Sequence, residues 1–76
     1  MNAEKTVVFE KAAALFAVLS TPIRLRIISE LCQGERNVGQ LLDSIDVAQP
    51  NMSQHLNMMY RAGILGKRRQ GAQMFY

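Results

Sequence analysis

Four short helices followed by a β-hairpin, a mainly α fold with a small terminal β-ribbon, is the architecture this sequence predicts. Three observations lead to it. Apolar residues recur at three- and four-residue spacing through most of the chain as far as Ala62. That pattern is broken at Thr21-Pro22, Gly34, Pro50 and Gly63, residue types that start or stop helices. Beyond Gly63, Gln70-Gly71-Ala72 separates two short extended stretches, with glycine available for the positive φ of a tight turn.

Each element has its own signal. Residues 7–20 place Val8, Ala12, Leu15, Phe16 and Leu19 at helical spacing and predict an amphipathic first helix. Thr21 is a natural N-cap, and Pro22 suits the first position of a second helix over 22–33, because its missing N–H has no partner there anyway. Ile23, Ile27, Ile28 and Leu31 form its inner face, and Gly34 closes it. Asn37 and Gln40 resemble a capping box for a short third helix over 38–46, with Val38, Leu41, Leu42 and Ile45 inward. After Val47-Ala48-Gln49, a fourth helix over 50–62 is expected to start with Pro50 at its first position. Met52, Leu56 and Met59 fall on its inner side, with Tyr60 beside them. Residues 64–76 make the hairpin.

With 76 residues there is room for a single domain, taken as 1–76. The lone Cys32 cannot form an intramolecular disulfide, and no Cys/His set offers the four ligands of a zinc finger. The longest apolar run, Ala12 to Leu19, is far too short to span a bilayer, and the N-terminus does not read as a signal peptide. A soluble intracellular protein without cofactor, metal or membrane is expected. A domain this small gains little from one core, so oligomerisation is expected too. Val7, Val8, Phe9 and Leu15 exceed what one face of the first helix needs.

Charge is segregated along the chain. Residues 1–46 hold five basic and all six acidic residues, whereas 47–76 hold Arg61, Lys67, Arg68 and Arg69 and no acid. An acid-free basic half is the one-dimensional trace of a polyanion-binding face. Two short helices joined by a three-residue turn, the second polar on its outer side, is the helix-turn-helix arrangement, and the basic hairpin behind it acts as a wing. Asn51, Gln54, Asn57, Met58 and Arg61 lie opposite Met52, Leu56 and Met59, with Gln49 and Ser53 at the helix entrance. Amides pair bidentately with adenine, arginine with guanine, and a methionine thioether meets a thymine methyl. The candidate DNA-binding set is therefore Gln49, Asn51, Ser53, Gln54, His55, Asn57, Arg61, Lys67, Arg68, Arg69 and Gln70. For His55, a phosphate contact or helix packing is the expected role.

Ser20-Thr21-Pro22-Ile23-Arg24-Leu25, Val38-Gly39-Gln40-Leu41, Gln49 to Leu56, Ala62-Gly63-Ile64-Leu65 and Arg68 to Tyr76 together resemble the ArsR/SmtB family of bacterial winged-helix repressors. The likeness covers the chain from about Phe9 to Tyr76. It implies a homodimer that binds double-stranded operator DNA and releases it when a chemical signal is sensed. It also implies a cytoplasmic location, at the nucleoid when bound to DNA. Its recognition helix falls on Pro50–Ala62 and its wing on Ile64–Tyr76.

Two departures bear on the signal. Metal-sensing relatives carry a Cys-x-Cys pair where this chain has Asn37-Val38-Gly39, which favours a non-metal or thiol-sensing branch. The family's C-terminal dimerisation helix beyond the wing is also missing, so the chain reads as part of a longer protein. Thiol-sensing relatives use two cysteines, and Cys32 stands about one turn late for that role. It reads as a small packed hydrophobe, with redox sensing as the alternative. Asp43 and Asp46 read as solubilising, since no nucleophile or phosphate loop accompanies them; there is no enzyme signal. No residue set defines an inducer pocket. The competing reading, a winged helix that binds protein or RNA without operator specificity, is disfavoured because no aromatic platform for stacking single-stranded bases is visible.

Overall fold

The computed structural model describes residues 2–76. Its elements run α1 (Ala3–Val18), α2 (Pro22–Leu31), α3 (Val38–Ser44), α4 (Gln49–Arg61), β1 (Arg68–Gln70) and β2 (Gln73–Phe75). The predicted order of four helices and a hairpin holds, with shifted boundaries.

Helix α1 starts at Ala3 rather than 7 because the Asn2 side chain accepts from the Lys5 N–H at 2.9 Å, an N-cap that extends the helix by a turn. It ends at Val18, where the Ser20 hydroxyl donates to the Ala17 carbonyl at 2.7 Å. The Thr21 side chain caps α2, with Pro22 in its first turn. That helix stops at Leu31, two residues earlier than expected. Gln33 and Gly34 instead donate back to the Glu30 and Leu31 carbonyls, and Gly34 turns away at φ 144°. The Asn37–Gln40 capping box forms reciprocally and opens α3. Ile45 adopts extended backbone, so α3 ends one residue before it.

Pro50 occupies the second position of α4, not the first. Ala48 stays extended as the N-cap, and its carbonyl accepts from Met52 N–H at 2.9 Å to close the first turn from Gln49. Either position suits proline, since both N–H groups lack an intrahelical partner. Gly63 ends the helix at φ 77°.

The core is built by three helices. Ile27 of α2, Leu41 of α3 with Ile45 just beyond its end, and Met52, Leu56 and Met59 of α4 are buried, and Val18, Ile23, Leu31, Ile64, Leu65 and Tyr76 pack around them. Helix α1 adds no fully buried side chain, and Phe16 is 73% exposed. Of its apolar stripe, Val8, Leu15 and Phe16 face outward, while Ala12 and Leu19 are half-buried. Tyr60, expected beside the inner face, is exposed as well.

The paired part of the hairpin is shorter than 64–76, because Ile64 and Leu65 are drawn onto the core before the strands begin. Strands β1 and β2 pair antiparallel with Arg68 opposite Phe75, Arg69 opposite Met74 and Gln70 opposite Gln73. Backbone bonds between Arg36 and Tyr76 and a bridge from Asn37 to Phe75 tie the ribbon to the α2–α3 connection. Among the described residues no single helix is long and apolar enough to cross a membrane.

Candidate nucleic-acid interface

The 3.6-residue period of α4 divides it cleanly. Met52, Leu56 and Met59 turn into the core, while Asn51, Ser53, Gln54, Asn57, Met58 and Arg61 are all exposed on the other side. Gln49, also exposed, lines a cleft with Ala72, Gln73 and Met74, so the start of α4 lies beside the hairpin. Three amide side chains, a hydroxyl and a guanidinium thus occupy one continuous solvent-facing edge.

The entrance to α4 is uncapped. Ala48 provides no side-chain acceptor, whereas α1, α2 and α3 each have one from Asn2, Thr21 and Asn37. Pro50 has no N–H and Met52 bonds to the Ala48 carbonyl, so the Gln49 and Asn51 N–H groups are left without a side-chain acceptor at an end where the helix dipole favours an anion.

The four hairpin residues play different parts. Arg68 lies over the Phe75 ring at 4.8 Å, donates from Nε to both Glu35 carboxylate oxygens at 3.1 Å, and donates from Nη1 to Gln70 Oε1 at 2.8 Å. This hydrogen bonding, with the guanidinium charge, holds the Glu35 carboxyl below its ordinary value. Lys67 sits 4.2 Å over the Tyr60 ring and so pins the base of the ribbon to the last turn of α4. Arg69 is exposed, and its alternation with Arg68 sends it to the opposite face of the ribbon. Among the described residues it has no ion-pair partner.

His55 does not share the open edge. It is partly buried, and its Nδ1 accepts from Arg24 Nε at 3.1 Å. Burial first, and the Arg24 charge second, hold its pKa below the usual histidine value. The packing alternative for this residue is the one the geometry follows. Cys32 departs from expectation in the other direction: its thiol is exposed at the end of α2, not packed. The reason is that α2 ends at Leu31, which leaves Cys32 in the cap rather than on the inner face. Asp43 and Asp46 are exposed, and no group of three His, Cys, Asp or Glu among the described residues is placed to hold a metal ion.

Two contributors, Arg24 and Glu35, were not singled out from the sequence, and Tyr60 was placed beside the inner face of α4 instead of against the ribbon. Each acts on a residue more than ten positions away in the chain or across an element boundary, and local periodicity carries no trace of such pairings. Only the uncapped Ala48 had a local signal, an alanine where the other helices have Asn or Thr.

A recognition helix backed by the core, joined by a short turn to α3 and flanked by a cationic ribbon, defines the winged helix-turn-helix class of DNA-binding domain. Sequence comparison narrows the class. The chain belongs to the arsR family of bacterial regulatory proteins, whose pattern it matches over residues 21–67. It is 41% identical over 66 residues to the biofilm growth-associated repressor of Agrobacterium fabrum, an overlap of 87% of this chain and 56% of that protein. The transcriptional repressor BigR of Xylella fastidiosa superposes with a TM-score of 0.83 at 36% identity, covering 100% of this chain and 79% of that one. The homodimeric winged helix-turn-helix DNA-binding domain of Mb0332 from Mycobacterium bovis superposes with a TM-score of 0.90 at 25% identity, over 100% and 70% of the two chains. The chain spans about half the length of the curated repressors it matches.

Proposed function

We propose that this chain is the operator-reading part of a homodimeric transcriptional repressor, released from DNA by a chemical signal. The observation that carries the reading is the division of α4: one side wholly buried, the other lined by unengaged amides and Arg61. In this reading Gln54, Asn57 and Asn51 meet base edges, Gln49, Ser53 and the open first turn meet phosphates, and Arg61 and Arg69 grip the backbone on either side. The repressor names of the relatives, and the homodimer formed by the Mycobacterium bovis domain, support it. Met58, exposed on the same edge, is suited to a thymine methyl.

The test is enrichment of duplexes from a random-sequence pool by the protein itself, followed by binding measurements on the enriched and unenriched pools across a salt series. Enrichment of a two-fold symmetric sequence is expected, with log affinity falling against log salt by about 0.9 per phosphate neutralised. Gln54→Ala is expected to cost about 1–3 kcal/mol on the enriched duplex and little on random DNA, whereas Arg69→Ala weakens both alike. No enrichment, or preference for RNA of equal length, overturns the reading.

A further inference from the structure

Among the described residues one side-chain hydrogen bond joins α4 to another helix, and it is the bond from Arg24 to His55. The same guanidinium donates from Nη1 to the Val18 carbonyl at 2.9 Å, at the last turn of α1. Arg24 itself is anchored in the first turn of α2, where its backbone N–H donates to the Thr21 hydroxyl at 3.3 Å. One side chain therefore ties the C-terminal end of α1, the start of α2 and the middle of α4. A cation there also offsets the orphan carbonyls that end α1.

The chemistry of this contact fixes the state of His55. Arginine only donates, so Nδ1 must be bare and the ring must be the neutral tautomer with its proton on Nε2. A proton on Nδ1 removes the acceptor and sets two cations side by side. No other group offsets that. His55 is flanked on its own helix by Asn51, Met52, Met58 and Met59, none of them charged, and α1 contributes a carbonyl to the guanidinium rather than to the ring. From α2 the facing charge is Arg24, and no carboxylate of α3 or any other element acts on the ring to raise its pKa.

We propose that Arg24 is a positioning residue that, through His55, fixes the angle of α4 against the α1–α2 corner, so that protonation of His55 loosens the helix and lowers discrimination between operator and random DNA. The proposal rests on the reading of α4 as the recognition helix. Its direction is particular. Acid adds a positive charge to the helix and so favours binding to any duplex, while it disrupts the alignment that base contacts need. The ratio of the two affinities is what falls.

Two measurements on the full chain test this. The first follows the His55 ring nitrogens by NMR between pH 7.5 and 5 without DNA. The Nε2-protonated tautomer is expected at pH 7.5, with a titration midpoint below 6.5 that rises in Arg24→Met. An unchanged midpoint in that variant overturns the clamp, whatever the protein binds. The second measures the ratio of affinities for the enriched duplex and the random pool. In the wild type it is expected to fall about tenfold from pH 7.5 to 5.5, the equivalent of one base contact. In His55→Asn, whose side-chain oxygen replaces the Nδ1 acceptor and does not titrate, the ratio is expected to stay flat. Equal losses in wild type and His55→Asn overturn the proposal, as does a folded Arg24→Met with an undiminished ratio at pH 7.5. If Arg24→Met does not fold, Arg24→Gln takes its place: it removes the charge and cannot span both acceptors, so the same outcomes are expected. If no duplex can be enriched, the operator reading fails while the NMR arm still decides the clamp.

Discussion

At the scale of single residues, Arg68 and Arg69 are adjacent, equally charged and indistinguishable by composition, yet the ribbon gives them different work. Arg68 is held by Glu35 and Gln70 on one face, and Arg69 is free on the other. Glu35 and a DNA phosphate would compete for the same guanidinium. Glu35→Gln is therefore expected to release Arg68, strengthen binding to every duplex, and steepen the log–log salt slope by about 0.9, the increment for one more phosphate. Both side chains are exposed, so the melting temperature should barely move. The sign with pH follows from the lowered Glu35 pKa. The carboxylate is charged in the folded and unfolded states alike through the neutral range, and the pair loosens only as pH falls through the folded value, below the ordinary 4.5. An unaltered salt slope in Glu35→Gln would show that Arg68 never reaches the backbone. The sequence identified these arginines as a basic tip but not which was free, because that depends on register and on a partner 33 positions away.

At the scale of elements, the sequence was most informative where a period and a cap coincided. The inner faces of α2, α3 and α4, the Thr21 cap and the Asn37–Gln40 box all form where spacing and residue type placed them. Boundaries were less legible: α1 is a turn longer at its start because of Asn2, and the strands shrink because Ile64 and Leu65 join the core. The start of α4 carries the sharpest test. Giving Ala48 a capping side chain, as in Ala48→Asp, is expected to stabilise the fold by about 1 kcal/mol, measured by denaturant unfolding. The same carboxylate occupies the first-turn N–H groups and repels phosphate, so affinity should drop on enriched and random duplexes alike. Stability rising without any loss of affinity would remove the α4 entrance from the interface. Alanine at this cap leaves the helix end without a side-chain acceptor, and α4 is held instead by Met52, Leu56 and Met59 beneath.

At the scale of the whole molecule, shape and exposure point the same way. A folded chain of this length has an expected radius of gyration of roughly 11 Å, whereas this one measures 14.3 Å and extends 46 Å along its long axis. The excess belongs with α1, a 16-residue helix with no buried side chain, whose Val8, Phe9 and Phe16 are all more than half exposed. An exposed apolar helix face of that kind marks an interaction surface, and in the proposed homodimer a two-fold contact between copies would cover it with the same residues twice. Phe16→Glu is accordingly expected to weaken self-association by about 3 kcal/mol or more, a hundredfold or greater rise in the dimer dissociation constant, read by sedimentation equilibrium. It should leave the fold of the monomer intact, because Phe16 is largely exposed and is not one of the buried core residues. Binding to a two-fold symmetric operator should fall with it, while binding to random duplex should change far less, since that depends on charge and not on the spacing of two recognition helices. A wild-type chain that is monomeric at all concentrations, or a variant that associates as strongly as the wild type, would assign the exposed face of α1 to some other cover. In the proposed repressor Arg24 would link such a contact to the helix that reads DNA: the Val18 carbonyl it binds ends the helix that carries Phe16, and the imidazole it binds belongs to α4.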